Sequence, residues 1–167
     1  MPTRPDPTEY RDYFHRYISL ADTDDIVGLL TKQLSGTVAL IRSLDPDRRY
    51  APEKWSVKQV VGHLIDTERV MAYRALRVSR GDKTALPGFD QDVLVNGAGF
   101  DDQTIDELIA EFEAVRHSTV LQFRPLTEAM WGQIGTVSES PLSARALAYV
   151  IAGHELHHAQ LMRELYT

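Results

Sequence analysis

The chain has 167 residues, 43% hydrophobic and 25% charged, which is ordinary for a soluble globular protein and long enough for one domain with its own core. A formal net charge of −6 argues against an electrostatic nucleic-acid footprint, and the absence of cysteine removes disulfides, a thiol nucleophile and cysteine metal ligands. No run approaches a membrane span, and the polar, proline-rich Met1–Pro7 lacks the apolar stretch of a signal peptide, so a cytoplasmic protein without a membrane partner is expected.

Residues 1–9 read as a disordered tail, and 10–167 as a single domain. Tyr10, Tyr13, Phe14 and Tyr17 make the next segment aromatic, suited to packing onto the body or to a homodimer contact. Four helical patterns follow. The first runs from about Asp22 to Leu44, with Ile26, Leu29, Leu30, Leu34 and Ile41 on one stripe, and Asp45-Pro46-Asp47 stops it. The second starts at Ser56, which forms a capping-box signature with Gln59, and runs to Arg80, with Gly81 placed to cap it. The third spans about Asp102 to Phe123 and stops before Pro125. The fourth starts near Pro141 and runs to about Leu165. No strand is expected. The fold class reads as all-α, a four-helix bundle. The long connection from Gly81 to Asp101 permits a crossover between helices two and three, giving an up-down-down-up order.

The fourth pattern carries Gly153-His154-Glu155-Leu156-His157-His158. Residues at i and i+4 share a helix face, so His154 and His158 can turn two imidazoles toward one ion, and imidazole suits zinc, nickel, copper or iron. Both share a stripe with Leu147, Ile151 and Leu165 and face the core, whereas His157 falls at its edge. A catalytic zinc site takes three protein ligands and leaves a position for water. Candidates for the third are His15, His63, His117, His157 or a carboxylate. His117 lies off its helix's apolar stripe, while His63 lies on a side of helix two shared with Thr67, Val70 and Arg74. His63 stands about 10 Å from the start of helix two and His158 roughly 10–12 Å from the end of helix four, level if those helices are antiparallel. The expected metal ligands are therefore His63, His154 and His158. The competing reading is core histidines satisfied by hydrogen bonds.

Each stripe also carries polar residues: Gln33 and Thr37, then Glu68, Arg116 and Glu155. A buried carboxylate without a partner is costly, so Arg116 is expected to pair with Glu68 or Glu155, and Thr37 to come near His63. The alternative is that all of them are splayed and solvated. The segment His154–His158 also matches the H-E-x-x-H pattern of zinc proteases, but those take a third ligand downstream, and only nine residues follow His158.

Three segments resemble the DinB superfamily of DinB/YfiT-like metalloenzymes: Trp55-Ser56-Val57-Lys58-Gln59-Val60-Val61-Gly62-His63-Leu64, the loop Leu86-Pro87-Gly88-Phe89-Asp90-Gln91-Asp92, and Ala148–His158. The likeness runs from about Tyr17 to the end. It implies an up-down-down-up bundle holding a divalent ion, often nickel or zinc, on one histidine of the second helix and two of the last, which map onto His63, His154 and His158. It also implies transferase or isomerase chemistry with a low-molecular-weight thiol.

The resulting expectation is a metal-dependent enzyme acting on small molecules, by S-transfer or related hydrolytic chemistry, with an open position for water or thiol. Glu155 is expected as a catalytic acid/base or a support behind the ligands, with His157 next, and Tyr73, Asp90, Asp92 and Trp131 as residues shaping the pocket. The alternative is a non-catalytic, stress-related bundle in which the ion is structural or sensory.

Overall fold

The computed structural model describes residues 3–167, and its body is mostly helical. The short α1 (His15–Ile18) precedes α2 (Ile26–Arg42), α3 (Val57–Ser79), α4 (Gln91–Gly97), α5 (Ile105–Phe123), α6 (Glu128–Trp131) and α7 (Ala144–Leu165). The four long helices α2, α3, α5 and α7 are those expected, and their starts are set by local chemistry. The Ser56 side chain accepts from the Gln59 amide while Gln59 reaches back to the Ser56 amide, and Thr104 with Glu107 repeats this box on α5. Asp25 and Ser143 cap α2 and α7.

Helix α7 is the centre of the molecule. Every residue from Ala146 to Glu155 is buried, because α7 packs against α3, α2 and α1 on different sides. Further contacts tie the bundle: Arg69 to Glu111 at 2.6 Å and Gln122 to the Ala72 carbonyl at 2.9 Å between α3 and α5, and Arg42 to Asp106 at 2.7 Å between α2 and α5. No described helix is long and apolar enough to cross a membrane.

Three expectations need correction. First, a hairpin interrupts the helical order: β1 (Ile134–Val137) pairs antiparallel with β2 (Ser140–Ser143). Its two-residue turn puts Ser138 and Glu139 at φ 49° and 64°, a conformation usually signalled by Gly or Asn. Neither residue advertises it. Second, Pro141 therefore lies in β2, and α7 begins at Ala144. Third, residues 3–9 are docked. Pro5 is buried, Arg4 pairs with Asp22 at 2.6 Å, and Arg145 holds Glu9 and the Thr3 hydroxyl at 2.9 Å each. Residues 1 and 2 of the expected tail lie outside the described residues.

The long connection after α3 opens with Gly81 at φ 82° and is far from structureless. Leu86 pairs in parallel with Val137 at the hairpin, and Asp90 caps α4. The loop is thereby pinned beside α3, over the side that carries His63.

Candidate metal centre

His63 comes from the second turn of α3, and His154 and His158 from successive turns of α7. Their ring nitrogens converge, with one ligating atom from each lying within 4.8 Å of the others. The His63 and His154 Nε2 atoms are 3.0 Å apart, and the three ring centroids stand 4.5–4.9 Å from one another. Tetrahedral coordination at ~2.0–2.1 Å places nitrogens roughly 3.3 Å apart, so small rotamer shifts bring the set to that spacing. The His63 Nδ1 lies 3.4 Å from the Thr67 hydroxyl; in the tautomer whose Nδ1–H donates there, Nε2 carries the inward lone pair. The Trp55 ring covers His63 at 4.9 Å, and the Tyr17 ring sits against His154 at 5.3 Å and His157 at 5.6 Å.

Two glycines make this approach possible. A Cβ on Gly62 would meet the Phe100 ring at 2.3 Å, and one on Gly153 would meet the Tyr17 carbonyl oxygen at 1.9 Å. Each glycine immediately precedes a histidine of the cluster, and the bare backbone admits Phe100 beside His63 and Tyr17 beside His154.

Burial favours neutral imidazoles. It pushes His63 down to about 4 and His158 to about 3. His154 falls well below its ordinary value through burial first, then the adjacent histidines. All three present lone pairs at neutral pH, which is the donor state that a divalent ion requires. Three neutral imidazoles from a helix pair, with an open side, have the donor chemistry of a divalent-ion site.

The open side is a cavity of about 990 Å³, lined by the three clustered histidines together with His157, Thr67 and residues of the N-terminal aromatic segment and the 88–91 loop. His157 is half-buried at its wall, lowered by burial and then by Arg16. Glu155 faces elsewhere. Its carboxylate lies 2.6 Å from Arg116 and accepts from the Gln33 amide, inside a buried cluster where Arg116 also grips Glu68 through two bonds of 2.9 and 2.7 Å. Burial alone would lower the Arg116 pKa, but the Glu68 hydrogen bonds and the charges of Glu155 and Glu68 raise it instead. Arg116 thus pairs with both candidate carboxylates.

The other expected residues divide. Asp90 lines the cavity, though its carboxylate caps α4, and Asp92 lines an adjoining cavity of about 400 Å³ that His158 also borders. Thr37 is buried but lines neither cavity, Thr67 taking its place beside His63. Tyr73 is exposed and bonded to Arg77, and Trp131 packs in the core on Phe123 at 5.3 Å. His15 and His117 are exposed and belong to no cluster with the three. Residues not foreseen at the site are Arg16, Met71, Arg74 and Ser138, of which Arg74 was signalled by sharing the His63 side of its helix.

A comparison with curated proteins finds no match. Among solved structures, the fold is similar to YfiT from Bacillus subtilis, described as a probable metal-dependent hydrolase with an unusual four-helix bundle topology. The superposition has a TM-score of 0.71 and spans 98% of this chain and 91% of that one at 16% identity. The DinB superfamily model matches residues 29–162, and the chain therefore belongs to the DinB superfamily.

Proposed function

We propose that the protein is a metal-dependent enzyme acting on small molecules, with zinc or nickel held by His63, His154 and His158. The observation that carries this reading is the convergence of three neutral ring nitrogens at the wall of a large open cavity, which leaves one side of the centre for a reactant. When bound, the ion would supply Lewis acidity and lower the pKa of a water or thiol. Water would make the chemistry hydrolytic, as the description of YfiT suggests, and a small thiol would make it S-transfer. His157 is the residue placed to accept or return a proton at a ring nitrogen, since it lines the cavity without belonging to the ligand set. Glu155 would act from behind, fixing α7 through Arg116 and Gln33.

The bundle order that suits this reading is up-down-down-up. Contacts that advance together between α3 and α5 (Arg69 with Glu111, Ala72 with Gln122) favour parallel neighbours. Those that run in opposite order between α2 and α5 (Leu30 with Arg116, Arg42 with Asp106) favour antiparallel ones.

The test is turnover by zinc- or nickel-loaded protein on two panels: small esters, amides and phosphoesters in water, and small electrophiles with added low-molecular-weight thiols. Metal-dependent turnover in one panel, lost in His158→Ala and reduced in His157→Ala, is expected. Loaded protein that is inert on both panels, and whose cobalt-substituted spectrum is unmoved by added azide or thiol, would contradict an open catalytic position.

A further inference from the structure

The cavity is electrostatically unlike the rest of the chain. The protein's net charge is −6, yet the charged side chains at the wall, histidines aside, are Arg11, Arg16, Arg74 and one carboxylate, Asp90. That carboxylate is already engaged, accepting from the Asp92 and Val93 amides. Arg74 is the unusual member. It is 3% exposed, and no carboxylate pairs with it among the described residues. A buried guanidinium without a counter-anion is costly to keep, and burial does lower its pKa.

Arg74 is also held in place. One terminal nitrogen donates to the Pro87 carbonyl at 2.6 Å and to the Ser138 hydroxyl at 3.4 Å, and the other approaches the Met71 sulfur at 3.5 Å. The Phe89 ring lies 5.3 Å from the guanidinium carbon. Ser138 belongs to the two-residue hairpin turn, whose left-handed backbone brings its hydroxyl to this arginine's side of the cavity. Its partners are neutral, and they leave part of a five-donor fork uncommitted in a side chain that lines the cavity. Arg16, at the same wall, rests on the Tyr13 and Tyr17 rings at 4.2 and 4.6 Å and pairs with no carboxylate among the described residues.

We infer that the cavity takes a small molecule bearing an oxyanion, a carboxylate or a phosphate, which Arg74 grips from the buried wall while Arg16 flanks it. Guanidinium forks suit both anions. Arg74 lies eleven residues beyond His63 on α3, about 16 Å along the helix axis. The anion would therefore anchor one end of an extended ligand, with its reacting group on the order of 10–15 Å away at the histidines. This deepens the proposed substrate site and rests on that cavity being one, but it does not need the ion to be bound.

The test is calorimetric titration of full-length protein with succinate, inorganic phosphate and neutral succinamide, in metal-loaded and metal-stripped forms. Succinate or phosphate should bind both forms, and whichever binds tighter names the anion. Succinamide should not bind. Arg74→Gln should weaken binding tenfold or more, Arg74→Lys less, and both should keep their metal content and helicity. If Arg74→Gln does not fold, the Arg74 Nε–H resonance of the wild-type protein serves instead, and should shift on adding succinate to the stripped form. Anion binding that needs the metal and ignores Arg74 would overturn the inference while leaving the metal reading intact. Arg74-dependent binding by a protein that takes up no metal would do the reverse. No anion binding in either form, with an unmoved Arg74 resonance, would also overturn it.

Discussion

Two polar groups sit side by side across α3 and α7, and they differ in how their valences are filled. In one, Glu68, Arg116, Glu155 and Gln33 bond chiefly to each other, deep in the bundle. In the other, His63, His154 and His158 turn their nitrogens toward one another and a cavity, with the Thr67 hydroxyl near His63 Nδ1 and aromatic rings around them. Adjacent residues of one helix, His154 and Glu155, belong to different groups because their side chains leave α7 about 100° apart. A buried polar set that pairs mainly within itself holds structure, even where Gln33 Oε1 and Glu155 Oε1 find no partner among the described residues. One whose ring nitrogens converge beside open space has the geometry of a binding site.

That contrast is broken most severely at Arg116. Arg116→Met strands two buried carboxylates and should cost about 3–5 kcal/mol in urea unfolding, whereas adding Glu68→Gln and Glu155→Gln should restore most of the loss. A loss below about 1 kcal/mol from the single change would mean the cluster is not the internally paired unit described here.

The histidine group should instead respond to pH. The folded values lie below the ordinary 6.5, at about 4 for His63 and about 3 for His158. Below pH 6.5 the unfolded chain binds protons that the folded chain refuses, so stability falls as pH falls. Between pH 6.5 and 5.5 the metal-free protein should lose about 1 kcal/mol per histidine, and the loaded protein less until protons displace the ion. Thermal melts across that range, with and without chelator, measure the difference. A pH-independent metal-free protein would show that the histidines are not buried as neutral groups.

The glycines sharpen the comparison at smaller cost. Gly153→Ala drives a Cβ into the Tyr17 carbonyl and should cost about 1–3 kcal/mol while loosening the wall beside His154. Gly36→Ala, on an exposed turn of α2 with nothing within 4 Å, should stabilise by about 0.5–1 kcal/mol. Equal effects would remove the case for close approach at Gly153.

Much of this was legible in the sequence, and the part that was not has physical reasons. The 3.6-residue stripes and the Ser56–Gln59 box located the long helices, and helical phase together with height selected His63 over His117. The hairpin escaped because Ser138 and Glu139 adopt left-handed backbone without the glycine that announces it. The docking of residues 3–9 depends on Arg145, more than a hundred residues away, and on Asp22, 18 residues from Arg4, which no local pattern encodes. Glu155 was visible as a polar intrusion, but the direction its carboxylate takes follows from where Arg116 and Gln33 lie. Arg74 shared the side of α3 that bears His63, yet only the loop at Pro87 and the turn at Ser138 show that it is buried without an anion.

The most direct measurement is metal content by elemental analysis of untagged protein after reconstitution, alongside single alanine variants of the three clustered histidines and of His157. The account predicts about one zinc or nickel ion per chain in the wild-type protein and in His157→Ala, and none in His63→Ala, His154→Ala or His158→Ala, with helicity retained. A wild-type protein that takes up no divalent ion, or a His63→Ala variant that keeps a full equivalent, would contradict it.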